Sequence, residues 1–114
     1  MAGEGLFKAL VENALDLILV LDGEAVVRFV SPSIERMLGY QRDDLVGRSV
    51  LEFVHPLEIP NARASLMRRL GAAGSGGLIE VPVRHVDGSW RVFEAVGQSF
   101  IEDSGQTRVI VNAR

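Results

Sequence analysis

The chain has 114 residues, of which 47% are hydrophobic, so it is long enough to form one domain around one core. Its 12 basic and 15 acidic residues are interspersed and give a net charge of −3, whereas a nucleic-acid-binding surface needs clustered positive charge. The absence of cysteine excludes thiol catalysis, disulfides and cysteine-ligated metals, and no apolar run approaches the ~20 residues of a membrane span.

An apolar stripe at helical spacing marks the N-terminal region, residues 1–15. Its members are Leu6, Phe7, Leu10, Val11 and Ala14. This spacing predicts a short amphipathic helix. Such a helix packs on its own domain, or it packs on a partner and continues from an upstream coiled coil; both are compatible with the pattern.

Two strands are predicted next, joined by a turn at Gly23 and Glu24. The run Asp16–Asp22 is apolar between turn-forming ends, which is typical of a central strand buried on both faces. The segment Ala25–Val30 returns as the second strand, and Arg28 is its one charged member.

The stretch Phe29–Pro56 reads FVSPSIERMLGYQRDDLVGRSVLEFVHP and carries start and stop signals for short helices. Ser31 suits the cap of a helix with Pro32 at its first position, because proline has no N–H to leave unpaired there. Gly39 suits the left-handed residue that ends this helix, and Gly47 ends the next one. These closely spaced start and stop signals predict several short helices packed around an interior.

The same stretch resembles the signature of PAS sensor domains, and the similarity extends over about Leu6–Arg114. The resemblance implies an α+β fold: a five-stranded antiparallel sheet with short connecting helices and one longer helix on one face. It divides the chain into the N-terminal flanking helix, 1–15, and a PAS domain, 16–114. The motif is specific for this fold but not for a ligand. A GAF domain, which is a similar sensor fold, differs in strand order.

The longer helix is predicted over about Asn61–Leu70, with Pro60 in its first turn. Its inward-facing positions are Ala62, Leu66 and Leu70. Its polar positions are Arg63, Arg68 and Arg69. The glycine-rich segment 71–77 is then a loop that crosses back to the sheet.

A hairpin and a last strand, Arg108–Arg114, complete the sheet. The hairpin strands are Leu78–His85 and Ser89–Phe100, with Gly88 as the left-handed residue of a three-residue loop. A two-residue Asp-Gly turn would instead shift the facing by one residue. With three loop residues, the inner face carries Val81, Val83, Phe93, Ala95 and Gly97, and the outer face carries Trp90, Val92 and Val96. Pro82 donates no ladder hydrogen bond, which favours an edge strand.

The sequence contains no pattern that predicts catalysis. The paired carboxylates Asp43 and Asp44 suit the first turn of a helix, where negative charge is favourable. Neither histidine lies in a nucleophile motif, and no phosphate-binding loop occurs. We therefore expect no catalytic residue and no metal site.

The resemblance also allows two cofactors to be tested. Haem-binding relatives use a histidine on the long helix, which has none here, and His55 and His85 suit structural positions. Flavin-binding relatives contact the ring with polar amides at positions that correspond to Val83, Phe93 and Ala113. Each hydrogen bond left unmade there would cost about 1–3 kcal/mol. We therefore expect neither haem nor flavin.

The resemblance places Leu19 and Leu21 toward the interior and Ile18 and Val20 on an outer face that needs a cover. Either side chains fill the interior, or they line a cavity for a small hydrophobic molecule such as an acyl chain or a flat aromatic. The candidate ligand contacts are Leu19, Leu21, Val30, Met37, Phe53, Leu66, Val81, Val83, Phe93, Ala95 and Ala113. The candidate dimer-interface residues are Leu6, Phe7, Leu10, Val11, Ile18 and Val20. Arg63 and Arg28 are candidate anchors for an acidic head group, although both suit solvated positions.

These features predict a sensory module of a larger signalling protein, of the kind found in two-component systems, with an effector domain on the same chain. Sensing would use a small apolar ligand in the core, formation of a homodimer, or both. The alternative is a ligandless homodimerisation or protein-interaction module. The first residues lack the basic and apolar regions of a signal peptide, so we expect a cytoplasmic domain with neither nucleic-acid nor membrane partners.

Overall fold

The computed structural model describes residues 15–71 and 77–114, which form a five-stranded antiparallel sheet with helices over one face. The strands are β1 (Leu17–Leu21), β2 (Val27–Val30), β3 (Ile79–Arg84), β4 (Trp90–Ile101) and β5 (Thr107–Ala113). The α-helices are α1 (Ser33–Leu38) and α2 (Ile59–Leu70), and the 3-10 helices are Arg42–Asp44, Val50–Phe53 and Pro56–Glu58. The predicted fold class is confirmed, while the helix predicted over residues 1–15 falls almost entirely outside the described residues.

The first and last strands of the sheet lie side by side at its centre, in the order β2-β1-β5-β4-β3. β5 pairs antiparallel with both β1 and β4. Alternation along β1 turns Leu17, Leu19 and Leu21 toward the helices, where all three are buried. Ile18 and Val20 therefore belong to the opposite, outer face of the sheet, as the resemblance implies.

The turn between β1 and β2 is held by the side chain of Asp22. Its Oδ1 accepts the backbone N–H groups of Glu24 at 2.8 Å and Val26 at 3.1 Å, and its Oδ2 accepts the Arg28 Nε–H at 3.0 Å. Burial raises the pKa of Asp22, but these hydrogen bonds together outweigh it and leave the pKa below its ordinary value. Arg28 is therefore engaged at this turn and is not an anchor within the core.

The start of α1 differs from the prediction that Ser31 caps it. The helix begins at Ser33 without a side-chain cap. Ser31 Oγ instead accepts the Ile18 N–H at 2.9 Å and lies 2.6 Å from Ser33 Oγ, which donates to the Asp16 carbonyl at 2.8 Å. Because the Ser31 hydroxyl accepts the Ile18 N–H of β1, it does not cap the helix but connects β1 with the start of α1.

In the connecting segment between α1 and α2, the glycines and Asp44 have the roles that the sequence predicts. Gly39 ends α1 with φ +83°, and Gly47 has φ +89°, so both are in the left-handed region that favours glycine. Asp44 accepts the backbone N–H of Gln41 at 2.8 Å, which caps the 3-10 helix Arg42–Asp44. This carboxylate therefore has the structural role predicted for it.

The β3–β4 hairpin has the predicted three-residue loop. The His85 N–H donates to the Ser89 carbonyl at 2.8 Å, and the Gly88 N–H donates to the His85 carbonyl at 2.9 Å. Gly88 has φ +91°, as a left-handed loop residue requires. The resulting register pairs Val81 with Phe93, so both point to the inner, helix-covered face of the sheet.

β3 forms an edge of the sheet, and several of its outward backbone groups already have partners. Pro82 has no N–H to donate, and its carbonyl accepts the His55 N–H at 3.0 Å. The Arg84 carbonyl accepts the Tyr40 hydroxyl at 2.8 Å. These contacts protect this part of the edge against pairing with another strand, and they place Pro82 at the edge as predicted.

Candidate functional site

A cavity of about 280 Å³ lies between the inner face of the sheet and α2. Small residues create it: Ala95 on β4 faces Ala113 on β5 as a cross-strand pair, and Gly97 and Ala62 also line the space. Protein interiors contain few voids larger than a water molecule. The volume lies just below the range of about 300–1,000 Å³ typical of sites for drug-sized ligands, so it suits a small molecule.

Nine of the eleven predicted ligand contacts lie on the cavity wall. They are Leu19, Leu21, Phe53, Leu66, Val81, Val83, Phe93, Ala95 and Ala113. Val30 and Met37 do not line it: Val30 is fully buried in the core, and Met37 packs against the core half-buried. The sequence pattern identifies the inner face but not how far the void extends along it. Contact of these residues with a ligand remains a prediction.

The wall also contains apolar residues that were not selected from the sequence. They are Leu17, Ile34, Leu38, Leu45, Val50, Leu51, Val54, Ala62, Ile79, Val109 and Val111, together with the ring of Tyr40. Alternation along β1 and β5 already points Leu17, Val109 and Val111 inward, so that signal was available. The stretch Phe29–Pro56 was also predicted to surround the interior, although only Val30, Met37 and Phe53 were selected from it as ligand contacts.

Three polar residues at the end of α2 complete the wall: Ser65, Arg68 and Arg69. Both arginines were predicted to stay on the polar side of the helix; Arg68 is exposed, in agreement with this prediction, whereas Arg69 is turned further toward the sheet. Arg69 is half-buried, and its Cγ lies 3.5 Å from the point where a Cβ on Gly97 would be. A Cβ there would make an ordinary van der Waals contact with the Arg69 stem and a tighter one, at 3.3 Å, with Val109 Cγ1. Arg63, the other predicted anchor, is exposed and does not line the cavity.

A gap between α2 and β3 connects the cavity with the surface. α2 packs over β4 and β5, and the inward-facing β3 residues Ile79 and Val81 are only half-buried, whereas Phe93 on β4 is buried. A shallow groove along this gap shares Val81 and Ser65 with the cavity. The α2–β3 gap therefore offers a small molecule a route to the interior.

Neither histidine lines the cavity. His55 Nδ1 accepts the Leu57 N–H at 3.1 Å, and the His55 ring centroid lies 4.6 Å from that of Trp90. His85 Nδ1 accepts the Asp87 N–H at 3.1 Å. Within residues 15–71 and 77–114, no three His, Asp or Glu side chains are grouped so that they could hold a metal ion. These contacts give both histidines structural roles.

The wall does not fit the two cofactors considered from the sequence. Val83, Phe93 and Ala113 all face the cavity, so a flavin edge placed there would meet apolar groups and no hydrogen-bond partner. α2 carries no histidine that could ligate haem iron. The absence of haem and flavin remains a prediction, which these residues favour.

An antiparallel sheet with helices over one face and an apolar cavity between them defines a small α+β domain. The profile of the PAS fold family matches residues 27–113, so the chain belongs to this family. In the part of the chain that the structure describes, no helix is long and apolar enough to cross a membrane.

Two curated relatives are fungal proteins of Neurospora crassa. White collar 2 protein is 31% identical over 91 residues, covering 80% of this chain and 17% of that protein. White collar 1 protein is 28% identical over 106 residues, covering 91% of this chain and 9% of that protein. The chain thus spans a small part of the length of these relatives.

Two solved structures contain similar domains. The PAS domain of an HTR-like protein from Haloarcula marismortui superposes with a TM-score of 0.84 at 25% identity, covering 99% of this chain and 91% of that one. A domain of a sensory box sensor histidine kinase/response regulator from Geobacter sulfurreducens superposes with a TM-score of 0.80 at 26% identity, covering 98% of this chain and 93% of that one. Together with the family match, these similarities make the chain a sensory or signalling module.

Proposed function

We propose that the chain is the sensory module of a larger signalling protein and that it binds a small apolar molecule in the cavity. The observation that carries this proposal is the apolar space of about 280 Å³ in the core. An effector domain on the same chain is supported by the small share of the White collar proteins that the similarity covers, 17% and 9%.

The energetics of the wall favour an apolar ligand over bulk water. The side chains around Ala95 and Ala113 lack dispersion partners on the cavity side, and apolar cavities are poorly hydrated. A hydrocarbon group would restore those contacts and be removed from water at the same time. Binding of such a group therefore stabilises the folded domain.

The wall supports sensing rather than catalysis. Along the described residues, no carboxylate or histidine side chain faces the cavity. Ser65 Oγ accepts a hydrogen bond from Arg68 at 3.1 Å, whereas an activated serine nucleophile donates its proton to a base. We accordingly propose a non-catalytic, cytoplasmic module.

A ligand transmits a signal only if it binds two conformations with different affinities. A molecule between α2 and the sheet contacts both, so it favours one spacing of the helix over β4 and β5. Because β5 also pairs with β1, a shift of β5 reaches the centre of the sheet and its outer face. This coupling is the proposed route of the signal.

Binding is tested by non-denaturing mass spectrometry of the purified protein, followed by titration with octan-1-ol. We expect a one-to-one adduct or saturable binding of the alcohol. The variant Ala95→Leu, which fills part of the cavity, should lose most of that binding. A wild-type protein that carries no adduct and binds no octan-1-ol would contradict the proposal.

A ligandless homodimerisation module is the second candidate, and the outer face of the sheet favours it. Along β4 this face exposes Trp90, Val92 and Phe100, with 43%, 65% and 39% of their surfaces accessible. Ile18 and Val20 belong to the same face, where Ile18 is half-buried and Val20 is buried. The other predicted interface residues, Leu6, Phe7, Leu10 and Val11, lie outside the described residues. An exposed apolar sheet face is a common protein-interaction surface.

Light scattering tests this second candidate with the variant Val92→Glu. A dimer formed through the outer face should become monomeric, because a carboxylate would be buried in the interface. Leu57→Glu is the matched control, since Leu57 is 82% exposed but belongs to the 3-10 helix Pro56–Glu58 and not to a strand. A Val92→Glu protein with unchanged mass would argue against this interface.

A further inference from the structure

The cavity and the groove along the α2–β3 gap meet at a neck. Four residues line both spaces: Ala62 and Ser65 on α2, and Ile79 and Val81 on β3. Three of these side chains are apolar, so among the described residues Ser65 supplies the polar side chain of the neck. A ligand that reaches from the cavity into the groove therefore passes the Ser65 hydroxyl.

The other polar side chains on the described cavity wall are engaged elsewhere. The Tyr40 hydroxyl donates its proton to the Arg84 carbonyl at 2.8 Å. Arg68 is exposed and donates to Ser65 Oγ at 3.1 Å, and Arg69 has a polar interaction of its own. Recognition of a polar group on a ligand is therefore left to Ser65.

The proton of the Ser65 hydroxyl is separate from the contact with Arg68. A serine hydroxyl accepts hydrogen bonds through its lone pairs and donates its one proton. Arg68 uses a lone pair, so the proton is left for an acceptor on a ligand. Hydrogen bonds in a chain polarise one another, so a hydroxyl that accepts from a guanidinium is a stronger donor.

The surroundings of Ser65 disfavour a charged group on the ligand. The three apolar residues of the neck offer no hydrogen bonds to replace the hydration that an ion would lose there. Glu58 and Glu80 line the groove outside the neck, whereas Arg68 is bonded to Ser65 itself. Charges of both signs are thus close by, so neither an anion nor a cation is selected.

We infer that the ligand is an uncharged molecule whose hydrocarbon part fills the cavity and whose hydrogen-bond acceptor, a carbonyl or ether oxygen, lies at Ser65. This inference rests on the proposed ligand-binding function. A polar group placed deeper in the cavity would leave its hydrogen bond unmade, which is unfavourable. Ser65 therefore fixes which end of the ligand faces the gap.

NMR titration of the isotope-labelled protein tests this inference with hexan-2-one and 2-methylhex-1-ene. The two probes have nearly the same shape, because a methylene group in the alkene replaces the carbonyl oxygen of the ketone. In Ser65→Ala, we expect the affinity for hexan-2-one to fall about fivefold, because one neutral hydrogen bond is lost. The affinity for 2-methylhex-1-ene should not fall, since the alkene accepts no hydrogen bond from the hydroxyl.

The variant Arg68→Gln is the matched control. It removes the guanidinium that donates to Ser65 Oγ and keeps the hydroxyl. The loss of affinity for hexan-2-one should be much smaller than in Ser65→Ala, because the cation only strengthens the donor. Alanine and glutamine are good helix formers, so α2 should persist in both variants, which circular dichroism verifies.

Hexanoate and hexylamine test the absence of charge, and both should bind less tightly than hexan-2-one. Tighter binding of either ion would overturn the assignment of an uncharged ligand.

Three results would overturn the role of Ser65: equal losses for both uncharged probes in Ser65→Ala, an unchanged affinity for hexan-2-one in that variant, or an equally large loss in Arg68→Gln. The cavity would remain a ligand site in each case, because octan-1-ol would still bind. A wild-type protein that bound none of the probes and no octan-1-ol would overturn both this inference and the proposed function.

Discussion

Filling the cavity with protein atoms tests directly whether the space is real. Ala95→Leu adds three carbons at a buried position that faces Ala113 and Ile79 across the sheet. At about 0.8 kcal/mol for each buried methylene, the gain is at most about 2.4 kcal/mol. Fixing the leucine rotamer costs about 0.5–1 kcal/mol, so we expect a net stabilisation of about 1.5–2 kcal/mol.

The assay is urea and thermal unfolding of protein that mass spectrometry shows to be free of adducts, because a bound ligand would itself add stability. For a domain of this size the gain corresponds to a rise in Tm of about 4 °C per kcal/mol. Ala64→Leu is the control, since it makes the same change at an exposed position of α2 and should alter stability by less than about 0.5 kcal/mol.

The sign of the change in the free energy of unfolding of Ala95→Leu shows whether the interior contains a cavity. If side chains already filled the interior, the added carbons would force neighbours out of place and destabilise the protein by about 1–3 kcal/mol. That result would refute the cavity and, with it, the proposed ligand site.

Two further predictions concern the framework around the site. Gly39→Ala should lower the free energy of unfolding in urea by about 1–3 kcal/mol more than Gly47→Ala does. Both positions have positive φ, but only at Gly39 would a Cβ collide with Val86 Cγ1. Equal losses of stability in the two variants would contradict the predicted collision. Asp22→Asn should cost about 1 kcal/mol at pH 7, since it removes a charge that accepts three hydrogen bonds. The folded-state pKa of Asp22 is lowered, so its charge stabilises the fold above the unfolded pKa of about 3.9 and this contribution is lost as the pH falls through the folded value. The difference in stability between wild type and Asp22→Asn, measured by thermal unfolding at a series of pH values, should therefore be constant near neutrality and shrink below about pH 4. A stability difference that stays constant down to pH 2 would contradict this role of Asp22.

Local signals and the family resemblance together predicted the fold. The resemblance implied the facing of β1, whose residues are all apolar, and the loop with Gly88 at φ +91° fixed the register of β3 against β4. Because side-chain facing has a period of two, one turn residue determined whether Val81 and Phe93 or their neighbours face the helices. The edge position of β3 followed from Pro82 in the same way.

The site was less predictable because it depends on contacts between distant elements. Arg69 was assigned to the polar side of α2 from its helical position, but its stem lies beside Gly97, which is 28 residues later in the chain. Val30 belongs to the inner face, yet the void does not reach it. Neither fact has a periodic signature, so sequence pattern alone could not supply it.

The two candidate functions use opposite faces of the same strands, so single substitutions can test them separately. Ala95 faces the cavity from β4, while Val92 on the same strand belongs to the outer face. If a ligand in the cavity alters association through the outer face, then association must alter ligand affinity by the same factor, because coupling between two binding equilibria is reciprocal. A monomeric Val92→Glu protein should then bind octan-1-ol with a changed affinity. If the outer face serves a ligandless module, Ala95→Leu should leave the oligomeric state unchanged and Val92→Glu should still abolish the dimer.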